Sequence, residues 1–155
     1  MQGRDFDDYG DIKWKLEATI PQENIRPDQL LQYGDILFSC KWTRNIATLY
    51  KEDYWLCVAS STFFIVRIQD SNILPEYLAI VLNEAQKSPY FKNNFSGSTI
   101  QSIPKNILED YKIPIPTLEH QQKIIGLYEL HKEQLKIYDD LKLKKSQLIN
   151  GLILS

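Results

Sequence analysis

His120 and His131 are the only histidines in 155 residues, and histidine is the side chain best suited to metal ligation or proton transfer near neutral pH. They stand about three helical turns apart in a proline-free stretch, so they fall close to one face. No carboxylate or cysteine pair joins them at the spacing of a zinc site. They read as surface or seam histidines, and no metal or cofactor is expected. Gly97 stands alone in Ser96-Gly97-Ser98, so no glycine-rich loop is present to cradle a phosphate. The G-x-S-x-G nucleophile elbow is absent. Asp11-Ile12-Lys13 and Asp110-Tyr111-Lys112 have the acid-x-Lys spacing of a metal-dependent nuclease, but neither has a second acid in a matching strand. Ser88-Pro89-Tyr90-Phe91 lacks the side chain that amino-methyltransferases place before Pro-Pro-aromatic to accept a target amine. An enzyme with its own catalytic residues is therefore not expected.

Two polar sets fit binding better than catalysis. The first is Lys41-Trp42-Thr43-Arg44-Asn45, which mixes cations, an aromatic ring and an amide. The second runs through Lys92, Asn93, Asn94, Ser98, Thr99, Gln101 and Lys105. Arginine can bond guanine bidentately through the major groove, and Asn or Gln can do so to adenine. Lysine, serine and threonine suit phosphate positioning. Arg44 and Asn45 are the expected base readers, and Lys41, Lys92 and Lys105 the expected phosphate contacts. Ordinary polar loops have the same composition, and residue type alone does not separate the two readings. Charge adds a modest argument. The chain carries a net charge of -2, yet residues 41–105 hold 7 Lys+Arg against 5 Asp+Glu, while residues 1–40 hold 4 against 8. The middle of the chain is the only net basic stretch, and a local patch is what meets phosphate.

Positioning such loops requires a folded frame. Hydrophobic residues make up 43% and charged residues 25%, the composition of a globular domain and not of a disordered chain. No apolar run reaches the roughly 20 residues of a membrane-spanning helix. Cys40 and Cys57, with no C-x-x-C spacing, suit a reduced, cytoplasmic compartment and read as small apolar residues. The first dozen residues, Met1 to Ile12, read as a loose terminus or the remnant of a first strand. Tyr33-Gly34-Asp35 is a turn feeding a strand at Ile36-Leu37-Phe38. Further strands are expected at Tyr54–Val58 and Thr62–Ile68. Pro75 opens a helix with Leu78, Val81 and Leu82 on one face, ending near Ser88-Pro89. Pro104, Pro114 and Pro116 predict an extended course from Ile103 to Ile115.

After Thr117, a good N-cap with Glu119 in the first turn, no proline follows. A single helix of about 35 residues is expected, projecting from the domain. Leu127, Leu130, Gln134, Ile137, Leu141, Lys144, Leu148 and Leu152 recur at coiled-coil spacing. Lys132, Glu133, Lys136, Asp139, Asp140 and Lys142 form a mixed-charge face expected to meet solvent. Dimerisation through Leu127, Leu130, Ile137, Leu141, Leu148 and Leu152 is favoured over packing back on the same domain.

Four strings, in order, resemble the specificity subunits of type I restriction-modification systems. Leu31-Gln32-Tyr33-Gly34-Asp35-Ile36-Leu37-Phe38 is similar to their L-x-x-G-D-I-L-F strand, and Pro75-Glu76-Tyr77-Leu78 to their P-x-Y-L helix start. Gly97-Ser98-Thr99-Ile100-Gln101-Ser102-Ile103 resembles their G-x-x-x-x-x-I loop. The stretch from Ile113 to Ile124 resembles I-P-L-P-x-x-x-E-Q-x-x-I at the junction with the long helix, with Glu119-His120-Gln121 where the family places Glu directly before Gln. The resemblance implies an α+β fold: a compact, mostly antiparallel target-recognition domain over residues 1–116, then a projecting C-terminal helix over 117–155. It implies a non-catalytic half-subunit that reads double-stranded DNA, pairs as a homodimer through its helix, and directs adenine methylation and restriction by partner modification and restriction subunits. Two rivals stay open: a degenerate interaction protein that no longer reads DNA, and a split recognition fragment of a methyltransferase.

Overall fold

The computed structural model of the chain describes residues 1–7, 9, 11–13, 25, 30–41, 46–51, 57–96 and 102–154. Its frame begins at Gly34, whose φ of +90° is a conformation that L side chains rarely adopt. The turn is closed by the Asp35 amide donating to the Gln32 carbonyl at 3.0 Å. Strand β1, Ile36–Ser39, follows and is buried along its whole length. Strands β2, Ala47–Leu49, and β3, Phe63–Val66, flank it in the order β2-β1-β3. Both pairings are antiparallel, with Leu37 opposite Thr48 on one side and Ile65 on the other.

Alternation along β1 builds two cores. Ile36 and Phe38 join Leu78, Leu82, Ala85, Phe91 and Ile103 on the helical side. Leu37 points the other way, into a cluster with Phe6, Leu31, Tyr50 and Phe63. A strand covered on both faces needs apolar residues at every position, which explains why Ile36-Leu37-Phe38 shows no polar alternation.

Helix α1, Pro75–Gln86, starts with proline where a missing N–H costs nothing. It buries more than the expected stripe: Tyr77, Ala79, Ile80 and Ala85 go in with Leu78 and Leu82, while Val81 is half-buried. Helix α2, Pro89–Asn93, is one short turn that carries Phe91 into the core, its ring centroid 5.7 Å from that of Phe38. Helix α3, Lys105–Glu109, corrects the extended course expected between Pro104 and Pro114. A five-residue helix fits between the two prolines because Pro104, in extended geometry, precedes its first turn. Helix α4, Leu118–Leu154, has 37 residues and is about 55 Å long. The Thr117 hydroxyl accepts from the His120 amide at 3.4 Å, as its capping position anticipates.

Other expectations need amending. The strand expected over Thr62–Ile68 is confined to Phe63–Val66. Of the strand expected at 54–58, residues 54–56 lie outside the described residues, and Val58 makes a single bridge to Leu30. The amino-terminal segment is not loose. Phe6 is completely buried, bridges Ile12 and sits 5.5 Å from the Phe63 ring. The Ser60 amide donates to the Met1 carbonyl at 2.9 Å. Burying one phenylalanine contributes roughly 2–3 kcal/mol, enough to hold an otherwise polar segment. The resulting architecture is α+β, a small antiparallel sheet with helices and a long C-terminal helix.

Candidate nucleic-acid interface

Helix α1 runs alongside β1 in the same direction, which gives the domain two distinguishable ends. At the start of β1, a Cβ on Gly34 would stand 3.9 Å from the Pro75 ring. Further along, the Asn83 amide both accepts from the Ala47 amide at 2.8 Å and donates to its carbonyl at 2.6 Å. Ala47 lies opposite Phe38.

The candidate binding residues that are described collect at the far end of β1. The Ile103 amide donates to the Cys40 carbonyl at 2.8 Å, and Lys41 bridges Ser102. Ser96 and Ser102 exchange backbone hydrogen bonds of 2.9 and 2.8 Å. The Ser39 amide donates to the Ile46 carbonyl at 2.8 Å. Lys41, Ser96 and Ser102, which flank segments 42–45 and 97–101 in sequence, therefore lie at neighbouring points. Trp42, Arg44, Asn45, Ser98, Thr99 and Gln101 lie within those segments, outside the described residues.

Lys92 and Asn93 are exposed on α2, at the same end as Phe91 and Phe38. Tyr90 and Phe91 pack on Tyr111 with ring centroids 5.2 and 5.0 Å apart, which ties α2 to the segment after α3. The Asn94 amide is turned back onto the Tyr90 carbonyl at 2.7 Å and closes α2. Lys105 is exposed, and its ammonium holds Glu109 at 2.8 Å, which raises its pKa. A phosphate would have to displace that carboxylate at Lys105.

The opposite end of the sheet is tied by side-chain bonds. Asp35, 1% exposed, accepts two bonds of 2.7 Å from Arg67 and one of 2.8 Å from the Gln32 amide. The Arg67 pKa rises because of that pairing. The Tyr77 hydroxyl donates to the Pro114 carbonyl at 2.8 Å. Gln121, fully buried in the first turns of α4, accepts from the Leu74 amide at 2.9 Å and donates to the carbonyls of Asn72 and Pro116 at 2.7 and 2.8 Å. This one side chain clamps the root of α4 to the start of α1.

Beyond its root, α4 qualifies another expectation. On the face expected to meet solvent, Lys136 and Asp139 are exposed and Lys132 is half-buried, and all three also meet the amino-terminal segment. Asp11 accepts from Lys132 at 2.5 Å and from Lys136 at 2.8 Å, and the Tyr9 hydroxyl bonds Asp139. Sequence reasoning missed this contact. The available signal was a pair of lysines four apart, which repel on an isolated helix and so invite an acidic partner. The candidate seam residues Leu127, Leu130, Ile137, Leu141, Leu148 and Leu152 are all more than half exposed, from 61% to 71%. His120 and His131 are exposed as well. Among the described residues no group of metal-binding side chains gathers, and no helix is long and apolar enough to cross a membrane.

Comparison with known proteins agrees with this arrangement. No curated protein matches the chain. The HsdS subunit from Thermoanaerobacter tengcongensis, solved by crystallography, is similar in structure with a TM-score of 0.66 and 21% sequence identity. The match covers 92% of this chain and 37% of that one, so the chain spans well under half the length of the protein it resembles. The family described as type I restriction modification DNA specificity domain matches residues 5–150. Nearly the whole sequence falls within that match, and the chain belongs to the family of type I restriction-modification DNA specificity domains.

Proposed function

We propose that the chain is a non-catalytic half-subunit of a type I specificity protein: residues 1–116 read one half of a split DNA target, and residues 117–155 pair with a second copy. The observation that supports this reading is the bridge between Lys41 and Ser102, which brings together residues that flank the two polar sets in sequence. Lys41, with Lys92 on the neighbouring α2, puts positive charge at this end of the sheet, where the two polar sets would meet a groove. Lysines would grip phosphates while Arg44, Asn45 and Gln101 reach base edges.

The seam of α4 supports pairing with a second copy in antiparallel order. A two-fold axis near Asp139 matches Leu127 with Leu152, Leu130 with Leu148, and Ile137 with Leu141. It also sets Gln134 against Lys144, so that neither polar seam residue meets an apolar one. Parallel in-register pairing would instead stack Lys144 on its own copy, an unfavourable contact between like charges. Each buried leucine or isoleucine contributes roughly 1.5–3 kcal/mol before the entropy of association is subtracted. Two domains related by a two-fold axis would read a palindromic pair of half-sites. Modification and restriction subunits would supply the chemistry.

The test is co-expression with a type I modification subunit, followed by mapping of methylated adenines. Methylation at one palindromic, interrupted sequence is expected. Ile137→Asp with Leu141→Asp should leave the domain folded, yield a monomer by sedimentation and abolish that pattern. Persistence of the pattern in this monomer would overturn the paired half-subunit.

A further inference from the structure

We propose that Tyr9 and Asp11 strap α4 to the domain, setting the angle at which the helix departs and hence the separation of two paired recognition domains. The consequence for spacing rests on the function proposed above; the strap itself does not.

The argument is one of leverage. Near its root α4 is held by Gln121, with Ile124, Ile125 and Tyr128 half-buried. From Glu133 to Ile153 every residue of the helix is exposed. A hold confined to the first turns leaves a long free arm, and a tilt of one degree moves the far end of a 55 Å helix by about 1 Å. The strap takes hold much further out, between Lys132 and Asp139, which is roughly 20–30 Å along the axis. A contact at that distance resists tilt better than one at the pivot.

The strap is anchored at both sides. On the helix, both oxygens of Asp11 are engaged, one by Lys132 and the other by Lys136. The Lys136 ammonium also lies 5.3 Å from the Tyr9 ring centroid, within the range of a cation–π contact. On the domain, Asp11 belongs to a loop pinned at its base by the Phe6–Ile12 bridge. The Lys13 amide donates to the Asp5 carbonyl at 2.8 Å, the Asp7 amide to the Asp11 carbonyl at 2.9 Å, and the Asp11 amide to the Asp7 carboxylate at 2.8 Å. Phe6 then ties this loop to the second core. The contact is partly shielded, since the Lys132 side chain is only 16% exposed. Exposed ion pairs taken singly do little. Here two ion pairs, a hydroxyl bond and a ring contact act at one point of the lever.

Residual dipolar couplings on the full-length chain test the idea. In the parent, one alignment tensor should fit the couplings of both the sheet and α4. Asp11→Asn combined with Tyr9→Phe should require two tensors, while backbone shifts in β1 and α1 stay in place. Reversing the charges, with Asp11→Lys, Lys132→Asp and Lys136→Asp together, should restore a single tensor. A single tensor in the Asp11→Asn, Tyr9→Phe variant would overturn the strap. If the reversal variant fails to fold, Lys132→Met with Lys136→Met serves as the second variant: two tensors support the strap and one overturns it. On paired half-sites, the strap variant should lose about fivefold in its preference for one spacing over its neighbours. Unchanged spacing preference would overturn the functional consequence. A chain that bound no DNA would count against the proposed function, and the couplings would still decide the strap.

Discussion

Two glutamines, both with no exposed surface, sit at opposite ends of α1 and behave oppositely. Gln121, at the root of α4, spends its carbonyl on one backbone amide and its amide on two backbone carbonyls. Among the described residues, neither the oxygen nor the nitrogen of Gln86, in the last turn of α1, is hydrogen-bonded, and the nearby Ser88 hydroxyl is equally unpaired. A buried amide without partners opposes folding, whereas a fully bonded one is neutral or favourable and fixes geometry. The root end is thus specified by polar bonds: Gln121, the Asp35–Arg67 pair and the Tyr77 hydroxyl. The other end of the sheet combines apolar packing of Phe38, Phe91 and Tyr111 with the Asn83 amide and the backbone bonds around Cys40 and Ser102, and it leaves Gln86 unpaired among the described residues. A protein that must present a long helix at a fixed angle gains from directional bonds where that helix leaves.

The largest expected effect is at the root. Gln121→Ala strands the Leu74 amide and two carbonyls and should cost about 2–4 kcal/mol, measured by urea unfolding at one fixed protein concentration. Loss should also reach the start of α1, seen as faster hydrogen exchange at Leu74 and Leu78. A variant within 0.5 kcal/mol of the parent would erase the distinction between the ends.

The other end should respond with the opposite sign. Gln86→Leu keeps similar volume and a good helix former while removing two unpaired polar atoms. A gain of about 1–2 kcal/mol is expected in the same urea experiment. A loss of stability would mean that the amide serves this end in a way its packing does not reveal.

How far the sequence disclosed all this depends on how local each signal is. Gly34-Asp35, Pro75 and Thr117 act within a few residues, so β1, α1 and α4 could be read directly. The elements α2, α3 and β2 span five, five and three residues, too short for periodicity. What makes them form is the burial of Phe91, of Ile103 beside α3, and of Ala47 against Asn83. The same division applies to the candidate interface. Residue types marked Lys41 to Asn45 and Lys92 to Lys105 as polar sets. That Lys41 meets Ser102 depends on a pairing across some sixty positions, which no local pattern encodes. The motifs that carried the family resemblance fall mostly at the root: Gly34, Asp35, Tyr77 and Gln121 each make a specific turn or bond there.

The smallest effect expected is in the titration of Asp11, and it probes the strap without perturbing the fold. Burial pushes this carboxyl up, but hydrogen bonds from Lys132 and Lys136, and then their charges, outweigh it and hold the pKa below the ordinary 3.8. Lys136 is raised in turn by its bond to Asp11, so it keeps its charge to higher pH, and both partners are charged above the Asp11 midpoint. A depressed carboxylate contributes stability that is complete above its unfolded value and disappears as pH falls through the lower folded one. The strap should therefore be unchanged between pH 8 and about 5, and open only below the ordinary carboxylate value. The Asp11 carboxyl-carbon shift, followed by NMR, should show its midpoint under 3.8. Removing both charges, with Lys132→Met and Lys136→Met, leaves burial as the dominant influence wherever the loop stays docked. The midpoint should then cross to the other side of 3.8. A midpoint that stays low without the lysines would assign the depression to something other than the helix, and the helix would owe nothing to Asp11.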